Sequence, residues 1–326
     1  MVDPMSSEIE TEETQELMLQ DVPERLQGLR LDRAAADLFP EYSRGRIQLW
    51  IDEGVLRVNG VQAQRRDPVV TGMQLSLTPT QESQGEWQAQ PIPISVIYED
   101  QDIFVVDKPA GLVVHPGAGN WDNTLLNALL YKDPELRHIP RAGIVHRLDK
   151  DTSGLMVVAR NLSAQNDLVQ QLQRRTVSRV YQAIVIGGPT ASGTIEEPIA
   201  RNSKNRLKMA VVANGKEAIT HYRILEKFEA HELLELKLET GRTHQIRVHL
   251  AHSNWPILGD PQYGGKSRFP KGIGADIRQA TEAMQRQALH AVRLQLKHPR
   301  TGELISWESP LASDIQDLLD LLRANG

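Results

Sequence analysis

The sequence predicts a two-domain protein of mixed helices and strands, on three observations. An arginine-dense segment near the N-terminus reads as two short helices followed by a hairpin. A stretch rich in Gln, Ser, Gly and Pro, with no periodicity, comes next and reads as a linker. Beyond it, runs of alternating apolar residues are interspersed with short amphipathic stretches. The 326 residues, 40% of them hydrophobic, suffice for two or three domains with sizeable cores. The expected division is an acidic disordered tail over residues 1–24, a small module over 25–78, a linker over 79–91 and a second domain over 92–326.

Charge is distributed unevenly. Residues 1–24 hold eight carboxylates and neither Lys nor Arg, so a net charge of −5 hides a body at +3. A like-charged, Glu- and Thr-rich block reads as disordered. No run of eighteen apolar residues exists to span a membrane, and the N-terminus has no basic and apolar leader, so a cytoplasmic protein without a membrane partner is expected. The absence of cysteine excludes disulfides, thiolate nucleophiles and cysteine–zinc sites.

In the module, Leu26, Leu29 and Leu31 lead into an Ala-rich stretch at 33–39, and Ser43 stands where a helix cap belongs, ahead of Ile47, Trp50 and Ile51. Gly54 ends the second helix, and Asn59-Gly60 is the turn of a tight hairpin running from 55 past Val61. Arg33, Arg44 and Arg46 belong to a set of arginines whose planar forks match phosphate, although six carboxylates in the same segment equally fit a solvated face. The run Arg30-Leu31-Asp32, Ser43-Arg44-Gly45-Arg46, Ile51, Gly54 and Val58-Asn59-Gly60 resembles an S-four type RNA-binding domain.

The second domain opens with strand-like runs at 95–98 and 103–106, the turn Lys108-Pro109-Ala110-Gly111 and a short helix at 124–131. Apolar runs at 142–145 and 155–159 then flank His146-Arg147-Leu148-Asp149-Lys150-Asp151-Thr152-Ser153-Gly154-Leu155, which reads as strand, charged loop, strand. Asp149, Asp151, Ser153 and Gly154 mimic the start of a calcium loop, but the position that requires a bidentate Glu is Arg160. Ser163 is the expected cap of the next helix, and 177–186 is a strand on which Tyr181, Ala183 and Val185 share a face. A tyrosine in such a strand most often packs.

Arg201, Lys204, Arg206 and Lys208 form a basic loop suited to a phosphate backbone or simply to solvent. Leu234, Leu236 and Leu238 mark a strand ending at Thr240-Gly241-Arg242-Thr243, with a helix expected over 244–251. A strand, a glycine turn and a helix N-terminus make an anion site to which Arg242 and Arg247 add full charges. His244, His249 and His252 lack a neighbouring carboxylate motif, so no metal is expected. Gly264-Gly265-Lys266-Ser267 resembles the end of a phosphate loop, but Asp260 stands where the first glycine is required. A hairpin at 289–297 and 304–307 and an amphipathic helix at 314–322 close the chain.

With no metal, thiol, nucleotide or cofactor signature, the chemistry must run on side chains alone. An aspartate among arginines, Asp149, is the carboxylate best placed for it, and glycoside hydrolysis would need a second one that the sequence does not offer. The stretch at 146–155, Arg179-Val180-Tyr181-Gln182-Ala183, Thr240-Gly241-Arg242-Thr243-His244-Gln245-Ile246-Arg247 and Asp107-Lys108-Pro109-Ala110-Gly111-Leu112 together resemble the RluA/RluD family of pseudouridine synthases. That resemblance implies an α+β fold with a mixed, mainly antiparallel sheet crossed by a cleft. It also implies Asp149 as the catalytic aspartate, Tyr181 stacked on the target base, Arg247 as the basic partner of Asp149, and Arg147 in the space left by a flipped nucleotide. The implied protein is a monomer without cofactor that isomerises uridine in RNA, with large-subunit ribosomal RNA ahead of transfer RNA. The competing reading is a non-catalytic RNA-binding or ribosome-assembly protein.

Overall fold

The computed structural model describes residues 17–40, 42, 44–78, 87–117, 120–205, 207–264 and 274–325, and the chain divides into two compact units, Met1–Glu86 and Trp87–Gly326.

In the first unit, strand β1 (Met18–Asp21) precedes helices α1 (Leu31–Leu38) and α2 (Arg44–Glu53), followed by strands β2 (Leu56–Val58) and β3 (Gln74–Leu77). The strands form an antiparallel sheet in the order β1-β3-β2. Phe39, Ile47, Trp50, Leu56 and Leu75 fill its core, with Tyr42 edge-on to Trp50 at 4.8 Å. Two expectations change here. Residues 18–24, assigned to a disordered tail, contribute a strand and the buried Val22, because the exposed edge of β3 needs a partner for its backbone groups; residues 1–16 lie outside the described part, as does Ser43. The Asn59-Gly60 turn forms, with φ of 50° and 78°, but the return is a single bridge at Val61, and the strand that pairs with β2 is β3.

The second unit contains β4 (Ser95–Glu99), β5 (Ile103–Lys108), α3 (Leu125–Lys132), β6 (Ser153–Ala159), α4 (Leu162–Gln173), β7 (Ser178–Ile186) and β8 (Gly193–Glu196). It continues with β9 (Ile199–Arg201), β10 (Met209–Val211), β11 (Ile219–Lys227), β12 (His231–Leu238), α5 (Gln245–His252), α6 (Ala275–Ala283), β13 (Leu289–Lys297), β14 (Leu304–Glu308) and α7 (Ser313–Ala324). Nine strands make one sheet in the order β4-β5-β6-β13-β7-β12-β11-β8, with β14 also paired to β13. Every pairing is antiparallel except β6 with β13. β9 and β10 form a separate two-stranded hairpin.

Alternation along β5 divides the core. Phe104 and Val106 enter the larger cluster with α3, while Ile103 and Val105 pack with Leu168 of α4 and Trp307. Covered on both sides, β6 is buried along its whole length. Its parallel contact with β13 is close enough that a Cβ on Gly154 (φ 113°) would overlap the backbone of Ala291.

Three local expectations are corrected. Residues 142–145 are not a strand, since Pro140–Gly143 turns with Arg141 and Ala142 at positive φ and only Ile144 bridges to Val158. The cap of α4 is Asn161, not Ser163, its side chain accepting from the Ala164 N–H at 2.9 Å. Residues 87–91 belong with the second unit, where the Asn127 amide donates to the Gln88 carbonyl at 2.9 Å and the Gln90 N–H to the Asn127 carbonyl at 3.0 Å. No helix among the described residues is long and apolar enough to cross a membrane.

Candidate active site

A cleft of about 900 Å³ opens on the second unit, and the segments singled out in the sequence converge on it. Six arginines line it against two carboxylates, Asp149 and Glu239, so it suits a polyanion.

The loop ahead of β6 is a turn, closed by the Thr152 N–H donating to the Asp149 carbonyl at 3.1 Å. Lys108 fixes it from beneath. Its ammonium is fully buried and donates to the carbonyls of Pro109, Leu112 and Lys150 at 2.8, 2.9 and 2.9 Å, using all three of its N–H groups. Burial lowers its pKa to about 7, against the opposing charges of Asp151 and Asp149. His146, at the start of the loop, accepts the Val157 N–H on Nε2 at 3.1 Å, and burial, with the charge of Arg179, brings it down to about 3, so it is a neutral structural ring.

Leu238 ends β12, and the chain enters α5 through His244 in the left-handed region (φ 57°). This places Arg247, 5% exposed, against Asp149, with Nη1 donating to Oδ2 at 2.9 Å. The other edge of the guanidinium is occupied by Asp260, through Nε at 2.7 Å and Nη2 at 2.9 Å, and Nη2 also reaches Gln262 Oε1 at 3.2 Å. Burial works to lower the Arg247 pKa, but Asp260 and then Asp149 hold it above its ordinary value. Burial likewise opposes ionisation of Asp260, and Arg247 with the N–H groups of Tyr263 and Gln262 overcomes it and keeps the pKa low. Arg247 is a planar clamp with one side committed to Asp260 and the other presented to Asp149.

Tyr181 lies on β7 opposite Leu236 of β12 and Ala291 of β13, in the middle of the sheet and 5% exposed. Burial raises its pKa, so its hydroxyl stays protonated. Arg147 is exposed at the cleft mouth. Arg242 lines the cleft with Nε donating to the Glu217 carbonyl at 2.9 Å, while its backbone N–H is taken by Gln245 Oε1 at 2.9 Å. The expected anion site at the α5 N-terminus is therefore partly closed by the helix's own side chain.

Arg201, Lys204 and Lys208 do not line the cleft. They lie on the β9–β10 hairpin, where Lys208 Nζ donates to the Gln262 carbonyl at 2.5 Å and the Met209 N–H to the Tyr263 hydroxyl at 2.8 Å. Arg206 is outside the described residues, as is the side chain of Arg46. In the first unit Arg33 is exposed and Arg44 donates to the buried Asp32 at 2.6 Å. His249 spends one nitrogen on Thr220 Oγ1 and the other on the Glu197 carbonyl, each at 2.9 Å, and is a core histidine. Asp100, Asp102 and His298 have metal-like spacing but lie off the cleft and are engaged, Asp100 by His298 and Tyr98 at 2.8 Å each, Asp102 by Arg300 at 2.7 Å.

The sequence reading missed Asp260, whose only local signal is a carboxylate between the apolar Ile257-Leu258 and Tyr263. It also left Arg179 without a role, although period-two spacing places it on the face of Tyr181.

The family described as RNA pseudouridylate synthase matches residues 102–252, which include Asp149, Tyr181 and Arg247. The chain belongs to that family, and it is an isomerase of the RNA pseudouridine synthase class. Ribosomal large subunit pseudouridine synthase D of Pseudomonas aeruginosa is 57% identical over 303 residues, covering 93% of this chain and 95% of that protein. The protein of the same name from Escherichia coli K12 is 49% identical over 305 residues, covering 93% and 94%. Among solved structures, Human RNA Pseudouridylate Synthase Domain Containing 4 superposes with a TM-score of 0.55 at 26% identity, over 70% of this chain and 93% of that one.

Proposed function

We propose that this chain converts uridine to pseudouridine in large-subunit ribosomal RNA, with Asp149 as the catalytic carboxylate. The observation that carries the assignment is the 2.9 Å pair of Asp149 with Arg247 in an arginine-lined cleft that also holds Tyr181. The target nucleotide leaves its stack and enters the cleft, at a cost of a few kcal/mol that is least in loops. Tyr181 supports the base, and exposed Arg147 takes the place the nucleotide vacates. Asp149, held by Arg247, attacks the base or sugar or removes the C2′ proton. The C1′–N1 bond breaks, the base turns, C5 bonds to C1′, and the C5 proton leaves as N1 gains one. The names of the relatives support the ribosomal substrate, and the first unit, with its arginine-bearing helices, fits an S-four type module that grips RNA.

Single-turnover tritium release from 5-tritiated uridine in transcribed large-subunit RNA tests the assignment. Asp149→Asn keeps shape and hydrogen bonding but not charge, so release falls below detection while the binding titration is unchanged. Release at the normal rate from Asp149→Asn would refute the role of Asp149. No release from the unmodified protein on any cellular RNA would favour the non-catalytic RNA-binding reading.

A further inference from the structure

Arg179 is a buried cation without a counter-charge. It is 9% exposed, its Nε has no hydrogen-bond partner, and no ion pair to it exists among the described residues. The nearby acids are committed elsewhere: Asp149 to Arg247, and Glu239 to His221 at 2.6 Å and Arg175 at 3.7 Å. Buried guanidinium groups are ordinarily paired, since leaving one alone forfeits hydration without recovering it. A structural arginine would therefore carry a partner, and this one does not.

The surroundings are shaped to hold it. Arg179 and Tyr181 lie two apart on β7, on the same face, and both line the cleft. The turn after β12 is bare where it passes over the guanidinium, because a Cβ at Gly241 would stand 2.6 Å from Arg179 Nη1. The site is thus a seated cation on the cleft floor, beside the tyrosine that the reading above places against the base.

We propose that Arg179 is a catalytic residue that holds the negative charge the pyrimidine acquires when it separates from the sugar. Breaking C1′–N1 leaves the bonding pair on N1, shared with O2 and O4. Attack by a carboxylate on C6 would send charge into the same conjugated system, so the need for a cation does not depend on the route Asp149 takes. C5 then uses the pair to bond to C1′, its proton departs, N1 is protonated, and the charge disappears. Such charge is best met by a preorganised donor in a site with little water. A backbone phosphate, strongly hydrated, suits the exposed arginines of the cleft mouth better than a residue nine-tenths buried.

The proposal rests on the pseudouridine reading, and the test separates the two. Full-length protein and its Arg179→Lys, Arg179→Gln and Arg179→Ala variants are assayed for single-turnover tritium release and for RNA affinity across a salt series. With the unmodified protein active, Arg179→Gln is expected to lose about 100- to 1,000-fold in rate on bound RNA, at unchanged affinity and salt slope. Arg179→Lys retains part of the rate, and millimolar guanidinium chloride, but not equal sodium chloride, raises that of Arg179→Ala. Weakened affinity with a salt slope reduced by about 0.7–0.9, at normal rate on bound RNA, would overturn the proposal and make Arg179 a phosphate contact. Equal losses in the Lys and Gln variants without rescue, in proteins that melt normally, would overturn it as a matter of shape. An unmodified protein that releases no tritium overturns the pseudouridine reading itself.

Discussion

The buried ammonium of Lys108 holds the carbonyl of Lys150, the residue next to Asp149, at 2.9 Å. Forty-two positions apart in sequence, the two lysines join the end of β5 to the middle of the Asp149 loop. Lys108→Met removes the side-chain donor from three carbonyls, of which that of Lys150 keeps the Gly111 N–H at 3.0 Å, and hydrogen bonds to a charged donor are worth roughly 1.5–3 kcal/mol each. The expected result is a lower melting temperature and at least about a tenfold fall in turnover as the carboxylate loses its position, with RNA affinity within about twofold. Weakened affinity at normal saturated turnover would make Lys108 a contributor to RNA binding instead.

Asp260→Asn removes one side of the Arg247 clamp. The guanidinium keeps Asp149 as its only carboxylate and gains freedom to turn, so turnover is expected to fall about 10- to 100-fold. Stability falls too, by about 3–5 kcal/mol, the usual cost of breaking a buried pair. Thermal melts beside single-turnover rates check both, and a variant that is fully stable yet slow would place Asp260 in the chemistry and not only in support of Arg247.

Lys204 and Lys208 lie on the same hairpin but are expected to behave differently. Lys204 is exposed, and Lys204→Ala should reduce the salt slope of RNA binding by about 0.7–0.9 at unchanged saturated turnover. Lys208 holds the Gln262 carbonyl, whose residue touches Arg247, so Lys208→Ala should lower turnover. Identical effects of the two substitutions would show that the link through Gln262 carries nothing.

Asp32 gives the first unit an acid limit. Burial would raise its pKa, but Arg44, Gln48 and Arg30 bring it down to about 2. A depressed carboxylate stabilises the fold above its unfolded pKa and stops doing so as pH falls through its folded value, so the window runs from about pH 4 to about pH 2. Because both arginines are nearly half exposed, about 1–2 kcal/mol is the reasonable size after screening. The stability gap between the unmodified protein and Asp32→Asn should shrink as pH drops through that window, and a constant gap would mean that Asp32 acts through packing.

Much of the site was legible because its residues sit in short, chemically unusual runs. Asp149 stands out by the density of charge around it, and Arg247 by its place after a glycine turn. Asp260 was passed over because the sequence gives no sign that a residue 13 positions beyond Arg247 returns to it; only the fold back after α5 brings it there. The hairpin at Asn59-Gly60 misled for a related reason: the turn is local, but the choice of partner strand belongs to the three-stranded sheet. Sheet order was hidden altogether. Nothing in residues 289–297 says that they enter between β6 and β7, since periodicity reports a strand and not its neighbours.

That insertion governs how the enzyme is made. Asp149 stands on the loop that leads into β6 and Tyr181 on β7, yet β13, more than a hundred residues further along, is the strand that joins those two halves. The edges of β6 and β7 therefore find their partner only in a strand distant in sequence, and closing the sheet is a long-range contact of the kind that slows folding. A chain cut before Leu289 would carry Asp149, Arg179, Tyr181 and Arg247 but lack the strand that pairs β6 with β7, and is expected to be inactive although its reactive groups are all present.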